Sequence, residues 1–260
     1  MPHARRASTP EEARRYRQAG HDDALEFAKA IGLERDYAND RKAKKDVIDP
    51  SGDAHSLKSG QKKWQIFLYR RDRFLEDYAF QSMNGIGQLL VHCIDAFPPS
   101  YEEFRKNPEA AKARLRTPMK ELRDRFQRKA LLRAFLSKAI FNSGEVDYLT
   151  VKHGGNFHVF WNKDVINTMG TEFEVINSKG DQKVLFRWKG NNVGELEIRA
   201  DSPKHYAEVR FNMLKKKAME LLFTIDAQIT SPLNPRVLVY GSATKRFGRW
   251  KSRGSDNHTT

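Results

Sequence analysis

The chain has 260 residues, of which 39% are hydrophobic and 31% charged, proportions that are typical of a soluble globular protein and not of a disordered one. Its 47 Lys and Arg outnumber its 33 Asp and Glu, and the net charge of +14 indicates a polyanionic partner such as nucleic acid. The single Cys excludes an internal disulfide framework, the N-terminal residues lack the apolar core of a secretory signal, and no apolar run could span a membrane. We therefore expect a cytoplasmic protein without a membrane partner.

Residues 1–97 predict an α/β core that begins with helix and continues into a hairpin. The segment Ser8-Thr9-Pro10-Glu11-Glu12 is typical of a helix start, and residues 21–33 place apolar side chains at helical spacing, with Glu26 among them. Residues 45–58 then predict a strand, a turn and a second strand, because Pro50-Ser51-Gly52 is rich in turn-forming residues.

The hairpin brings an acid and a lysine to one face. If the turn is centred near Ser51, Asp46 pairs with about Ser56, and Lys58 lies two residues further along the second strand. Side chains alternate between the faces of a strand, so Asp46, Ser56 and Lys58 are expected to lie on the same face. Asp53 is closer to the turn and is expected to cap it.

Helical spacing recurs after the hairpin. Residues 64–78 predict a long amphipathic helix beside the hairpin, and this helix carries Asp72 and Glu76. Residues 98–143 predict a separate helical segment whose outer faces are rich in Lys and Arg. These basic residues either are solvated or line a DNA groove.

Residues 144–240 predict a β-rich, mainly antiparallel region, because short runs of apolar and aromatic residues alternate with turn residues. Arg187, Arg199 and Arg210 fall on neighbouring predicted strands, and arginine is suited to the edges of guanine. Residues 241–260 mix basic and aromatic residues, so we expect a tail that is flexible when free. Such a tail could fold onto phosphates through Lys245, Arg246 and Arg249.

Several familiar catalytic and cofactor motifs are missing from the sequence. It contains no phosphate-binding Walker loop, no dinucleotide-binding glycine motif, no nucleophile elbow and no zinc-binding constellation, so no nucleotide cofactor is expected. Metal-assisted hydrolysis of a phosphodiester needs only carboxylates, a lysine and water.

The hairpin resembles the PD-(D/E)xK nuclease signature found in type II restriction endonucleases. The resemblance is carried by Asp46 and by Ser56-Leu57-Lys58, and it covers roughly residues 20–80. It implies that Asp46 binds Mg²⁺ and that Lys58 orients the attacking water. The sequence departs from the signature at two positions, because Lys45 stands where proline is usual and Ser56 where an acid is expected.

The resemblance also implies where the missing carboxylate comes from. A subset of these enzymes has Ser-x-Lys and recruits an acid from the following helix, a part that Asp72 or Glu76 would play here. Glu26 matches an acid that family members often place at the metal from the preceding helix. The implied metal ligands are thus Asp46, Glu26 and Asp72. Residues 65–69 resemble the Gln-x-x-x-Tyr element of another branch of the family.

A rival acidic site lies in the β-rich region. Asp147 on its first predicted strand, with Glu195 and Glu197 on a later strand, resembles an acid followed by Glu-x-Arg, since Arg199 comes next. A ladder of paired charges on a solvent-facing sheet explains the same residues. His55 offers a general base for different chemistry, although we expect it to be a half-buried structural residue.

The sequence as a whole predicts an α/β (α+β) protein with a PD-(D/E)xK-like core in residues 1–97. A helical segment (98–143), a β-rich recognition region (144–240) and a basic tail (241–260) follow. The predicted function is Mg²⁺-dependent, site-specific cleavage of double-stranded DNA by a homodimer, with helices in residues 76–141 at the interface. The alternative is a non-catalytic DNA- or RNA-binding protein that uses the basic β-rich surface.

Overall fold

A computed structural model describes residues 9–33 and 47–249 and shows an α+β protein, as the sequence predicts. The helices are α1 (Pro10–Ala30), α2 (Arg71–Glu76), α3 (Tyr78–Gln81), α4 (Ile86–Asp95), α5 (Tyr101–Lys106), α6 (Pro108–Ala113), α7 (Arg116–Phe126), α8 (Lys129–Phe141), α9 (Asn162–Glu172) and α10 (Lys215–Leu222). The strands are β1 (Val47–Ile48), β2 (Ala54–Lys58), β3 (Lys63–Tyr69), β4 (Tyr148–His153), β5 (Asn156–Trp161), β6 (Glu174–Asn177), β7 (Lys183–Trp188), β8 (Asn191–Ser202), β9 (His205–Leu214), β10 (Ile229–Thr230) and β11 (Val237–Tyr240). Among the described helices, none is long and apolar enough to cross a membrane.

The chain divides into two compact units that do not follow the four contiguous segments expected from the sequence. The first unit takes its residues from 1–60, 145–165 and 225–260, and the second from 61–144 and 166–224. The difference arises because β2 pairs with β4, so strands separated by more than eighty residues share one sheet.

The first unit contains a mixed sheet with the strand order β1-β2-β4-β5-β11-β10. The predicted hairpin is present, and its register, with Val47 opposite His55, is the one the sequence predicts. Strand β2 then runs parallel to β4, with Ser56 opposite Leu149.

One face of this sheet is covered by helix α1 and by the start of the C-terminal tail. Phe27, Ala28 and Ile31 of α1 are buried against a core that also contains Ala243 and Phe247. Capping by Thr9 and a proline in the first turn explain where α1 begins. The sequence predicts a flexible tail, but its described part, up to residue 249, is packed against the unit. The reason is that Ala243 and Phe247, four positions apart, are both buried in the core.

The second unit contains an antiparallel sheet with the order β3-β9-β8-β7-β6, covered by an aromatic core. The strands predicted in residues 173–211 and the helices in residues 100–141 are confirmed. The long helix predicted over residues 64–78 is wrong, because residues 63–69 form β3 and pair with β9. Aromatic and branched residues dominate this run, and they favour a strand although their spacing also fits a helix.

Candidate functional site

Ser56 and Lys58 lie on the same face of β2, the second strand of the hairpin. The Lys58 ammonium donates a hydrogen bond to the Ser56 hydroxyl at 2.9 Å, which confirms that the two side chains share a face. Ser56 is buried and Lys58 half-buried. Asp46, the predicted partner on the first strand, lies outside the described residues.

Glu26 lies on the opposite face of this sheet. Strand alternation directs His55 and Leu57 towards α1, where Phe27 contacts the His55 ring, and directs Ser56 and Lys58 away from it. The Glu26 carboxylate instead accepts hydrogen bonds from Lys152 and Arg236. The implied role of Glu26 beside Lys58 is therefore wrong for this structure, and these two cations hold the pKa of Glu26 below its usual value.

Asp72 and Glu76 belong to the second unit. They lie on α2, which follows β3. Strand β3 therefore separates Lys58 from these acids along the chain. Residues 65–69, which resemble the Gln-x-x-x-Tyr element, are part of β3 and not of the predicted helix. The structure does not gather the implied ligands into one unit.

No ligand set for a metal ion is found in the part of the chain that the structure describes. Within residues 9–33 and 47–249, no three His, Cys, Asp or Glu side chains are placed so that they could hold one. Mg²⁺ requires near-octahedral oxygen ligands and is usually held by one or two carboxylates. The described residues contain no group of three such ligands, and Asp46 lies outside them.

A buried polar network lies beneath α1 in the first unit. Asp49 Oδ2 is 3.4 Å from His55 Nε2, and His55 Nδ1 is 2.9 Å from Thr150 Oγ1. His55 also stacks on Tyr148, with ring centroids 4.8 Å apart. His55 and Thr150 are fully buried and Asp49 is 3% exposed, so this His–Asp–Thr arrangement cannot reach a substrate and has a structural role.

Asp49, and not Asp53, caps the hairpin turn. Its Oδ1 accepts hydrogen bonds from the Ser51 amide at 2.8 Å, the Ser51 hydroxyl at 2.7 Å and the Asp53 amide at 3.1 Å. The spacing of two and four residues is that of an Asx-type turn, a signal present in the sequence before Ser51. Burial opposes ionisation of Asp49, but hydrogen bonds from His55 and Ser51 outweigh it and lower the pKa.

Asp53 lies beside two other carboxylates. Its Oδ2 accepts a hydrogen bond from the Tyr148 hydroxyl at 3.2 Å, while the Asp147 carboxylate accepts one from the Ala54 amide at 2.8 Å. Burial raises the pKa of Asp53, and the negative charges of Asp49 and Asp147 raise it further. The turn therefore holds one carboxyl group whose charged form is disfavoured.

Asp53→Asn is expected to stabilise the protein at neutral pH. When folding raises the pKa of an acid, the folded protein becomes less stable as the pH rises from the unfolded-state pKa through the folded-state pKa. Asn does not ionise, so the variant avoids this loss of stability. Asn can still accept the Tyr148 hydrogen bond. Thermal unfolding should show a higher midpoint for the variant at pH 7, and the gain should disappear below pH 3.8, the ordinary value for Asp. A gain that persists in acid would contradict the electrostatic explanation.

The three acids of the rival site already have hydrogen-bond or ion-pair partners. Asp147, in the first unit, binds a backbone amide, whereas Glu195 and Glu197 lie in the second unit. Glu195 pairs with Lys63 at 2.7 Å, and Glu197 pairs with Lys183 and Arg210. Burial opposes ionisation of Glu197, but Lys183 and Arg210 lower its pKa overall. Glu195 and Glu197 thus form the charge ladder that the sequence offered as an explanation.

The three sheet arginines predicted to read bases are also engaged. Arg199 pairs with Asp201 at 2.5 Å, and Arg210 pairs with Glu197 and with Asp201. Arg187 lies 3.9 Å from Glu174 and donates to a backbone carbonyl. Binding a phosphate or a base would require these arginines to exchange an acidic partner for it.

The described tail residues hold one cation against an aromatic ring. The Arg246 guanidinium lies 4.3 Å from the centroid of Trp161, with Lys163 on the same ring at 5.1 Å. Lys245, Arg246 and Arg249 are exposed. Up to residue 249 the tail is ordered, whereas the sequence predicts a flexible one, and its contact with phosphates stays a prediction.

Most of the positive charge belongs to the second unit. Its residues, 61–144 and 166–224, include 27 Lys and Arg against 17 Asp and Glu, a net charge of +10 out of the +14 of the chain. The sequence predicts nucleic-acid contacts in the sheet and the tail and leaves those of the helical segment undecided. Counting acids and bases along residues 98–143 would have identified the excess.

No family model, curated protein or solved structure matches this chain.

Proposed function

We propose that this chain is a nucleic-acid-binding protein that binds through the positive charge of its second unit. The observation that carries the proposal is the excess of ten cationic side chains in that unit. A field of this size attracts polyanions, and each phosphate that a cation neutralises releases condensed counterions. Such binding requires neither a metal ion nor a catalytic residue.

A second candidate function, a Mg²⁺-dependent endonuclease for double-stranded DNA, is favoured by one observation. The predicted hairpin register and the Ser56–Lys58 contact are both present, and these two features support this candidate. Homodimerisation on a palindromic site belongs to this candidate.

Binding is favoured over cleavage because the described residues of neither unit bring the implied metal ligands together. Glu26 is on the other face, Asp72 and Glu76 are in the second unit, and Asp46 remains a prediction from sequence. No catalytic step is therefore assigned to a metal ion.

The proposal is tested by titrating a fluorescent DNA duplex of about 30 base pairs with the full-length protein in EDTA. Binding should occur without metal, with a dissociation constant on the order of 10⁻⁶ M or lower at low salt, because phosphate contacts dominate non-specific affinity. If neither this duplex nor an RNA duplex of the same length binds at roughly 10⁻⁵ M protein and 50 mM KCl, the proposal is refuted.

A further inference from the structure

We propose that residues 105–116, here called the basic segment, bind the phosphate backbone of a nucleic-acid duplex without reading its sequence. This inference rests on the nucleic-acid-binding function proposed above and assigns that function to one surface.

The basic segment is the densest run of exposed positive charge in the second unit. It contains five basic residues and one acid, Glu109, and all six side chains are exposed. Within the described part of the chain, the structure shows no ion pair or hydrogen bond for any of the five basic side chains. These five are Arg105, Lys106, Lys112, Arg114 and Arg116.

The basic segment is anchored so that its charges stay on the surface. Phe104, Ala111 and Leu115 are buried and hold the short helices α5 and α6 and the start of α7 against the core of the second unit. Asn107 ends α5 and caps α6, its side chain accepting a hydrogen bond from the Ala110 amide at 3.0 Å. The five cations therefore project from a folded scaffold, which reduces the entropy that binding would cost.

The sheet arginines and the basic segment differ in whether their cations already have acidic partners. Arg199 and Arg210 share acidic partners, so a phosphate that binds them must displace a carboxylate. The basic segment has a single acid for five cations, and its contacts with phosphate add affinity without breaking an existing ion pair. We therefore assign backbone contacts to the helices and not to the sheet.

The composition of the basic segment favours a duplex over a single strand. Residues 105–116 include no aromatic residue, so the segment offers no ring on which an unpaired base could stack. A duplex presents about one phosphate charge per 1.7 Å of axis, a higher density than a single strand. Contacts limited to phosphates carry no direct information on base sequence.

The same charges disfavour a dimer interface at this position. In a two-fold interface the same patch faces itself, and five cations would meet five cations. A polyanion is complementary in charge to this surface, whereas a second copy of the chain would repel it.

The test compares two full-length variants that lose equal charge. The first carries Arg105→Gln, Lys106→Gln, Lys112→Gln, Arg114→Gln and Arg116→Gln. The control carries Lys62→Gln, Lys179→Gln, Lys189→Gln, Lys204→Gln and Lys216→Gln, five exposed positions elsewhere in the second unit. Circular dichroism establishes that both variants fold, and duplex binding is measured in EDTA between 50 and 200 mM KCl.

The first variant should bind roughly 30- to 100-fold more weakly than wild type at about 100 mM KCl. The slope of log K against log salt should become shallower by about 3 to 5, since each lost phosphate contact contributes about 0.9. The control variant should change the slope by less than about 1. Two unrelated duplex sequences should bind equally, and a single strand of equal length more weakly. Comparing the affinities for a DNA duplex and an RNA duplex of the same length shows which of the two nucleic acids the protein binds more tightly.

Each remaining outcome rejects a defined statement. If both variants weaken binding equally, or neither does while the wild type binds, the basic segment is not the binding surface although the proposed function stands. A single strand that binds tighter than the duplex overturns the assignment to duplexes. If the wild type binds no nucleic acid at all, the proposed function itself fails.

Discussion

Raising the KCl concentration from 50 to 200 mM is expected to weaken duplex binding by the wild-type protein by about 10³-fold. The five cations of the basic segment and the exposed Arg128 in the same helical region provide at least six potential phosphate contacts. Six contacts give a slope of about −5 in log K against log salt, and a fourfold change in salt then changes affinity by roughly three powers of ten. Fluorescence anisotropy of a labelled duplex in EDTA measures this slope.

The control for this prediction exchanges chloride for another monovalent anion at constant potassium concentration. Release of cations from the duplex should dominate, so the slope should change little with the anion. A slope shallower than about −2 would contradict an interface built mainly on phosphate contacts. Hydrogen bonds to bases or apolar contacts would then have to supply the affinity.

Asp49→Ala is expected to lower the free energy of unfolding of the first unit by about 3–5 kcal/mol. The substitution removes the acceptor of three hydrogen bonds at the hairpin turn and the carboxylate that faces His55. Each lost hydrogen bond costs about 0.5–1.5 kcal/mol, and the fully buried His55 ring would lose its carboxylate partner at a further cost of about 1–3 kcal/mol. Urea unfolding measures the total, and hydrogen exchange of the β2 and β4 amides localises it.

Asp49→Asn provides the matched control. Its side-chain oxygen can still accept the hydrogen bonds of the turn, so the loss should be smaller, about 1–2 kcal/mol. The gap between wild type and Asp49→Asn should close in acid, because the lowered pKa of Asp49 gives the wild type stability that is lost as the pH falls through the folded-state value. Equal stability of Asp49→Ala and wild type at pH 7 would contradict the structural role of this network.

The sequence predicted local structure where the signals were local. The Pro50-Ser51-Gly52 turn set the hairpin register, and the strand alternation placed Ser56 and Lys58 together. The helices of residues 100–141 and the strands β6–β9 also follow from apolar periodicity and turn residues. These features depend on contacts between residues that are close in the chain.

Features that depend on distant contacts could not be read in the same way. The pairing of β2 with β4 joins residues about ninety positions apart, and it puts residues 145–165 in the same unit as the N-terminal hairpin, which local patterns do not reveal. The side of the sheet on which α1 packs decides that Glu26 contacts Lys152 and not Lys58, and helical spacing alone does not specify that side. Residues 63–69 fit both periodicities, and pairing with β9 decided for a strand.

The measurement that tests the central claim most directly is incubation of DNA duplexes with the full-length protein in Mg²⁺ and in EDTA, with binding and cleavage followed in the same samples. A binding protein leaves the DNA intact in both buffers and binds it with or without metal. Discrete fragments that appear only in Mg²⁺ and vanish with Lys58→Ala, but not with the control Lys63→Ala, would contradict this account. They would establish the endonuclease, since loss of a residue that orients water or a proton costs about 10²- to 10⁴-fold in rate.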